Sequence, residues 1–253
     1  MIIGTFNLQN QYFIKHYDGK NIQDNPAILN KLLSFYHIDI LGTQEIVLPY
    51  LNNLRKELDT HYQIVGGFRF PKFFLKKYNE TNSIITHEKI LSVQTKALPF
   101  LPSFLPRIMT VAYLEDKNGK TYCVINTHLA FKSSYAQKRQ LQYLLRFIRS
   151  IHVPVILMGD FNMTIYNPLM KNFIQQLEVC HLKRLPVFEK TFAKHTKQRA
   201  IDHIFLSDNW EVKHINVIHD DSLEAFSDHY LVLADVNPTW TSSKWFDTIL
   251  MRW

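Results

Sequence analysis

The stretch VILMGDFN at 155–162 ends an apolar run on Asp160 and Asn162, a carboxylate and an amide separated by one aromatic residue. Residues two apart in an extended segment share a face, so a strand stopping at Gly159 would present both side chains at its C-terminal end. Other polar residues occupy similar places: Asn7 after a first apolar run, Glu45 after a second, His128 after TYCVINT, Asp202 at the head of IDHIFLS, and Asp228 with His229 just ahead of YLVLADV. Carboxylates and imidazoles hold charge and move protons, and such groups are rarely buried unpaired, so core packing does not explain their meeting. Each residue also has a plain structural reading. Asp160 and Asn162 can form an Asx-type turn, Asn7 can terminate a strand, Glu45 can be a solvated loop residue, and His128 or His203 can be hydrogen-bonded edge histidines. Their joint order separates the two readings, and only His203 stays with the structural one, because it directly follows Asp202 and points to the opposite face of a strand.

The elements that must position these residues alternate along the chain. Apolar and β-branched runs predict strands at 2–6, 38–42, 62–65, 83–86, 108–114, 121–127, 153–158, 201–206, 212–218 and 231–236. Helical spacing predicts helices at 26–36, at 134–150 with Leu141, Leu144, Leu145 and Ile148 on one face, and at 168–177. The first four functional positions follow strands, whereas Asp202 and Asp228–His229 precede them. The later strands must therefore run antiparallel to the earlier ones if all these side chains are to meet at one edge of a mixed sheet. The proline-punctuated loop PFLPSFLP at 99–106 is a surface connection or a cleft wall.

At 253 residues, with 46% hydrophobic and 20% charged content, the chain fits one large α/β domain. A net charge of +7 favours polyanionic partners. Two cysteines, Cys123 and Cys180, are too few for a disulfide framework and have no metal-ligand spacing. No leader-like or membrane-length apolar run is visible, so a cytoplasmic, soluble protein is expected.

In order along the chain, TFN at 5–7, TQE at 43–45, NTHL at 126–129, GDFN at 159–162, IDHIFLS at 201–207 and SDH at 227–229 resemble the motif set of the endonuclease/exonuclease/phosphatase superfamily, the DNase I-like fold. NSIIT at 82–86 is similar to another recurrent segment of that family. The resemblance implies a four-layer α/β sandwich, with two mixed β-sheets packed face to face and helices outside. It implies a single catalytic domain over 1–238; beyond the last family motif, Trp240, Trp245, Phe246, Ile249, Leu250 and Trp253 of the aromatic tail at 239–253 offer an amphipathic surface that is expected to pack back on the domain, with binding of a partner as the alternative. It also implies phosphoester hydrolysis with a divalent metal, Mg²⁺ with Mn²⁺ as a substitute. Hard cations take oxygen ligands, so Glu45 is the expected ligand, with Asp228 contributing and Asn7 supporting as an uncharged partner. Asn162 is expected to hydrogen-bond the phosphate, Asp160 to position or deprotonate the attacking water or assist a second metal, and His128 to bind phosphate or act on the leaving-group side. His229 is the preferred general base, with Asp202 on its other ring nitrogen.

Substrate is less determined. His128 in NTHL replaces the tyrosine-centred motif of abasic-site endonucleases, and GDFN differs from the segment of inositol polyphosphate phosphatases. A phosphodiesterase acting on nucleic acid leads. Sphingomyelinase-like enzymes, phosphatases of small phosphoesters and a non-catalytic polyanion-binding member are the alternatives. Lys72, Lys76 and Lys77, interleaved with Phe70, Phe73, Phe74 and Tyr78, can bind phosphates and stack bases, although a loop facing membrane lipid would look similar. The basic stretch at 183–199 is a solvated loop or a substrate wall. No obligate protein partner is expected.

Overall fold

The computed structural model describes residues 1–12, 25–70, 75–100, 105–192, 199–220, 223 and 227–240. They form twelve strands and four helices: β1 (Ile2–Asn7), α1 (Asn25–Phe35), β2 (Ile38–Val47), α2 (Leu48–Glu57), β3 (Gln63–Val65), β4 (Glu80–Thr86), β5 (Lys89–Leu98), β6 (Arg107–Glu115), β7 (Thr121–His128), α3 (Ser134–Arg149), β8 (Val155–Asp160), α4 (Pro168–Val179), β9 (Leu182–Arg184), β10 (Asp202–Ser207), β11 (Trp210–Ile218) and β12 (Leu231–Pro238). Two six-stranded sheets result, ordered β11-β12-β1-β2-β4-β3 and β5-β6-β7-β8-β10-β9. Each is mixed, because β1 pairs parallel with β2 and β7 with β8, while β12 runs antiparallel to β1 and β10 antiparallel to β8.

Strand alternation divides the apolar residues into three cores. Ile3, Ile40, Ile84 and Val232 of the first sheet meet Val124, Ile156, Met158 and Ile204 of the second between the sheets. The opposite faces are covered by helices: Leu29, Leu33 and Leu51 of α1 and α2 cover the first sheet, and Leu141, Leu144, Ile148, Phe173 and Leu177 of α3 and α4 cover the second. This is the four-layer sandwich with helices outside. Helix starts follow local chemistry: Ser133 caps α3 by accepting from the Ala136 amide, and Asn167 caps α4, whose first residue is Pro168.

Three elements escape the sequence pattern. α2 follows β2 without a loop and carries few apolar residues, of which Tyr50, Leu51 and Leu54 are buried. β5 is an edge strand, largely exposed, with a register irregularity between Ile90 and Ser92. β9 is a three-residue edge. In β8 the expected stop at Gly159 does not occur, and the strand continues to Asp160. Gly159 has φ 141°, and a Cβ there would lie 1.9 Å from the Thr127 carbonyl oxygen, so glycine serves close strand approach here.

Behind the edge where Asn7, His128 and Asp160 end their strands, a polar layer ties the sheets together. Gln44 donates to Asn126 Oδ1 at 2.7 Å, Asn126 donates to the Thr43 and Ser83 carbonyls, and Asn82 donates to the Ile108 carbonyl. The NTHL and NSIIT motifs thus supply sheet-to-sheet clamps as well as His128. Residues 72–74, 101–104, 193–198 and the tail from 241 onward lie outside the described residues, including the expected roles of Lys72, Phe73, Phe74, Trp245, Phe246, Ile249, Leu250 and Trp253. Trp240 packs edge-on against Trp210, with ring centroids 4.5 Å apart. No helix among the described residues is long and apolar enough to cross a membrane.

Candidate active site

Asn7, His128, Asp160 and Asp202 fall on the inter-sheet face at one end of the sandwich because their positions share strand parity with the central core. Register places His128 of β7 opposite Asp160 of β8, and Asp160 opposite Asp202 of β10. Asn7 ends β1 beside Gln44 of β2. The parity that turns Asp202 inward turns His203 outward. Its Nε2 lies 2.8 Å from the Met163 carbonyl, and its ring packs on Phe161. Burial lowers the His203 pKa to about 4, consistent with a neutral core histidine.

Asn7 links the two sheets. Its Nδ2 donates to Glu45 Oε1 at 3.1 Å and to Asp160 Oδ2 at 3.0 Å. Its Oδ1 accepts from the Gln9 amide. Glu45 has φ 64° and lies in a bulge of β2, where Gln44 and Glu45 intervene between Thr43 and Ile46 in pairing with β4. Bulges re-aim side chains, and a left-handed glutamate is uncommon away from functional sites. The Asn10 amide donates to Glu45 Oε2 at 2.8 Å.

Asp160 is the hub. Its Oδ2 faces Nε2 of both His128, at 3.4 Å, and His229, at 3.7 Å. Its Oδ1 accepts from the Asn162 amide at 2.8 Å. The Asx turn and the polar cluster are therefore one feature, not alternatives. Asn162 does not extend the strand: it has φ 54°, and its Nδ2 donates to the Leu129 carbonyl. The shared-face argument fails for this residue, and the Asx turn brings it to the site instead. Burial, then the charge of Asp202, raises the Asp160 pKa to about 7, against opposing pulls from His229, the Asn162 amide and Asn7.

Asp202 and His229 form the expected pair, with Oδ2 2.9 Å from Nδ1. Burial alone lowers the His229 pKa, but Asp202, through its charge and hydrogen bond, followed by Asp160 and Asp228, raises it to about 10. A ring that already holds its proton at neutral pH is poorly disposed to serve as the base expected of it. His128 is opposite in character. Burial and the charges of Arg107, Arg69 and His229 push it well below the ordinary histidine value. Arg107 Nη1 lies 3.0 Å from His128 Nδ1, and a guanidinium can only donate, so the neutral ring carries its proton on Nε2, toward Asp160.

Asp228 is half-buried on the same rim. The preceding Ser227 donates to the Asn7 carbonyl and accepts from the His229 amide, tying this segment to β1. Sequence reading missed Arg107, Arg69, Asn10 and Glu80. Arg69 pairs with Glu80, which also accepts from Asn10. Burial and the neighbouring Arg107 lower the Arg69 pKa to about 9. An arginine opening an apolar strand, as in PRIMTV, is the one signal available in the sequence.

The donor set can be tested against a metal. Asp160, Asp202 and His229 offer atoms within 4.8 Å of one another, but the shortest approach among them is the His229–Asp202 hydrogen bond. Glu45 is the accessible carboxylate, its side chain 22% exposed against 2% for Asp160. Two hydrogen bonds leave its oxygens further acceptor capacity. Hard oxygen donors at an open rim fit a divalent cation that keeps several waters.

The sequence profile of the endonuclease/exonuclease/phosphatase family matches residues 4–229. Tyrosyl-DNA phosphodiesterase 2 of Xenopus laevis is 21% identical over 150 residues, a match covering 58% of this chain and 38% of that protein's length. Among solved structures, a mannosyl-6-phosphatase of Bacteroides thetaiotaomicron VPI-5482 superposes with TM-score 0.76 at 22% identity, covering 94% of this chain and 99% of the other. The D. rerio TDP2 complexed with a single-strand DNA product does so with TM-score 0.73 at 18% identity, covering 94% and 98%. These structural likenesses speak to the fold. The profile match spans every strand end that carries a catalytic candidate, and the chain belongs to the endonuclease/exonuclease/phosphatase family.

Proposed function

We propose that this protein hydrolyses phosphoester bonds with a divalent metal, Mg²⁺ or Mn²⁺ in its place, and that its substrate is a phosphodiester of nucleic acid. The observation that carries the reading is the Asn7 amide holding Glu45 and Asp160 from different sheets within 3.1 Å of one nitrogen. Glu45 would hold the metal, with Asp228 contributing and Asn7 fixing the carboxylate. A bound cation supplies charge neutralisation at the phosphoryl oxygens. Asp160, buried and raised toward neutrality, takes the proton of the attacking water. His229, kept charged by Asp202, donates to a phosphoryl oxygen, as do Asn162 and the Nε2–H of His128. Arg107 and Arg69 add positive charge around the substrate.

The surface supports a polyanion with stackable rings. Phe131, Tyr135 and Tyr166 are exposed on segments that leave the site ends of β7 and β8, and Phe188 on the segment entering β10. Lys132 lies over Phe131, Arg139 over Tyr135 and Arg184 over Phe188. The similarity to a tyrosyl-DNA phosphodiesterase points the same way. A phosphatase acting on small phosphomonoesters is the second reading, favoured by the two buried arginines, which suit a dianionic group. The test is hydrolysis of single- and double-stranded DNA, RNA, sphingomyelin, sugar phosphates and nitrophenyl esters, with Mg²⁺, with Mn²⁺ and with chelator. Selective turnover of sugar phosphates would replace the first reading with the second, and binding without turnover of any ester would leave a polyanion-binding protein.

A further inference from the structure

At the end of the sandwich opposite the catalytic edge, where β1 begins and β12 ends, a cleft of about 830 Å³ is lined by Asp39, His87, Glu88, Asp116, Tyr122 and Trp240 among others. Within it Asp39, His87 and Glu88 each offer one ligand atom, all within 4.8 Å of one another. His87 Nε2 stands 2.8 Å from Asp39 Oδ1. Metal–ligand distances of about 2.0–2.2 Å put neighbouring ligands of one cation roughly 3 Å apart, so the two atoms already have the spacing of a shared coordination sphere.

The group is held from outside. Asp39 Oδ2 accepts from the Ile2 amide. Thr86 Oγ1 donates to the Asp39 carbonyl at 2.8 Å and accepts from the Glu88 amide at 3.0 Å, joining the start of β2 to the turn between β4 and β5. Such supporting bonds orient ligands before an ion arrives. A separate observation points to a ligand. Tyr122 is wholly buried and lines the same cleft, its hydroxyl set against the Glu88 carboxylate without a well-formed hydrogen bond to it. A buried donor left short of a good acceptor requires explanation, and a cation that draws Glu88 into its coordination sphere, or a water it fixes, would complete that acceptor.

We propose that Asp39, His87 and Glu88 form a second metal site, distinct from the catalytic edge, that takes a divalent transition metal of the zinc class. One imidazole and two carboxylates suit zinc better than magnesium, which prefers oxygen alone. The bound ion would pin the start of β2 to the β4–β5 turn and stabilise that end of the sandwich. The site stands independently of the hydrolytic reading.

Isothermal titration of ZnCl₂ into the full chain, with Mg²⁺ saturating, tests it. One zinc per chain is expected. His87→Ala and Glu88→Gln should each weaken its binding by at least about tenfold, since loss even of a ligand's supporting partner typically costs 10–100-fold in affinity. Glu45→Gln should leave it unchanged. Two surface variants with independent chemistry guard against a folding defect in either. Absence of zinc binding, equal binding by wild type and both variants, or loss on Glu45→Gln alone would overturn the proposal.

Discussion

On the proposed function Asp202 would act chiefly through the His229 ring that it hydrogen-bonds, with its charge also felt at Asp160, which makes the pair testable at the level of single residues. His229→Ala should lower turnover by about 10²–10⁴-fold with substrate binding much less affected. Asp202→Asn should be comparable or milder. The double variant should lose far less than the product, because groups acting as one unit are non-additive; multiplicative losses measured in steady-state kinetics would separate the two. The pH profile carries a second prediction. Asp160 must be ionised to accept a proton, so activity rises as pH passes about 7, and His229 must be charged to donate, so activity falls as pH approaches about 10. Asp160→Asn should remove the acidic limb along with most of the rate. A profile whose acidic limb survives in that variant would return the base to another group. Asn7, Glu45, His128, Asp160, Asp202 and His229 were legible because polar residues at strand ends are hard to assign to a core. Arg107 and Arg69 were not, since a lone arginine beside apolar residues reads as a surface cation until the fold places His128 against it.

Strands, more than loops, set the site. Parity along β1, β7, β8 and β10 directs Asn7, His128, Asp160 and Asp202 to one face, and that parity was readable from alternation in the sequence. The antiparallel return of β10 and β12 was likewise required by the order of the motifs. What alternation cannot show is a bulge or a left-handed residue, because these depend on the neighbouring strand. Glu45 reaches the site through a bulge and Asn162 through an Asx turn. α2 and β5 escaped for a similar reason, as their burial is decided by the partner they pack on and not by strong patterning of their own. Gly159 belongs to this scale. Gly159→Ala places a side chain at positive φ against the Thr127 carbonyl. It should destabilise the fold by at least about 1–3 kcal/mol from backbone strain alone. The check is a lower denaturant midpoint with an unchanged slope. Stability equal to wild type would show that β8 approaches β7 less closely than described.

The whole molecule assembles the site from two sheets that meet only through their packed faces. The first sheet draws β1 to β4 from one end of the chain and β11 and β12 from the other, which supports our proposal that residues 1–238 act as one catalytic unit. The net charge of +7 accords with a polyanionic substrate. On this account the rate depends on a cation held by Glu45, a residue of the first sheet, acting on a phosphate approached by Asp160 of the second. The most direct measurement is turnover of a single-stranded oligonucleotide and of bis(p-nitrophenyl) phosphate by the wild-type protein and by Glu45→Gln, with Mg²⁺, with chelator, and after Mg²⁺ is restored. The account predicts that chelator abolishes wild-type activity and Mg²⁺ restores it, while Glu45→Gln stays nearly inactive with its folded signature unchanged. Full turnover in chelator, or by Glu45→Gln at ordinary Mg²⁺, would contradict it.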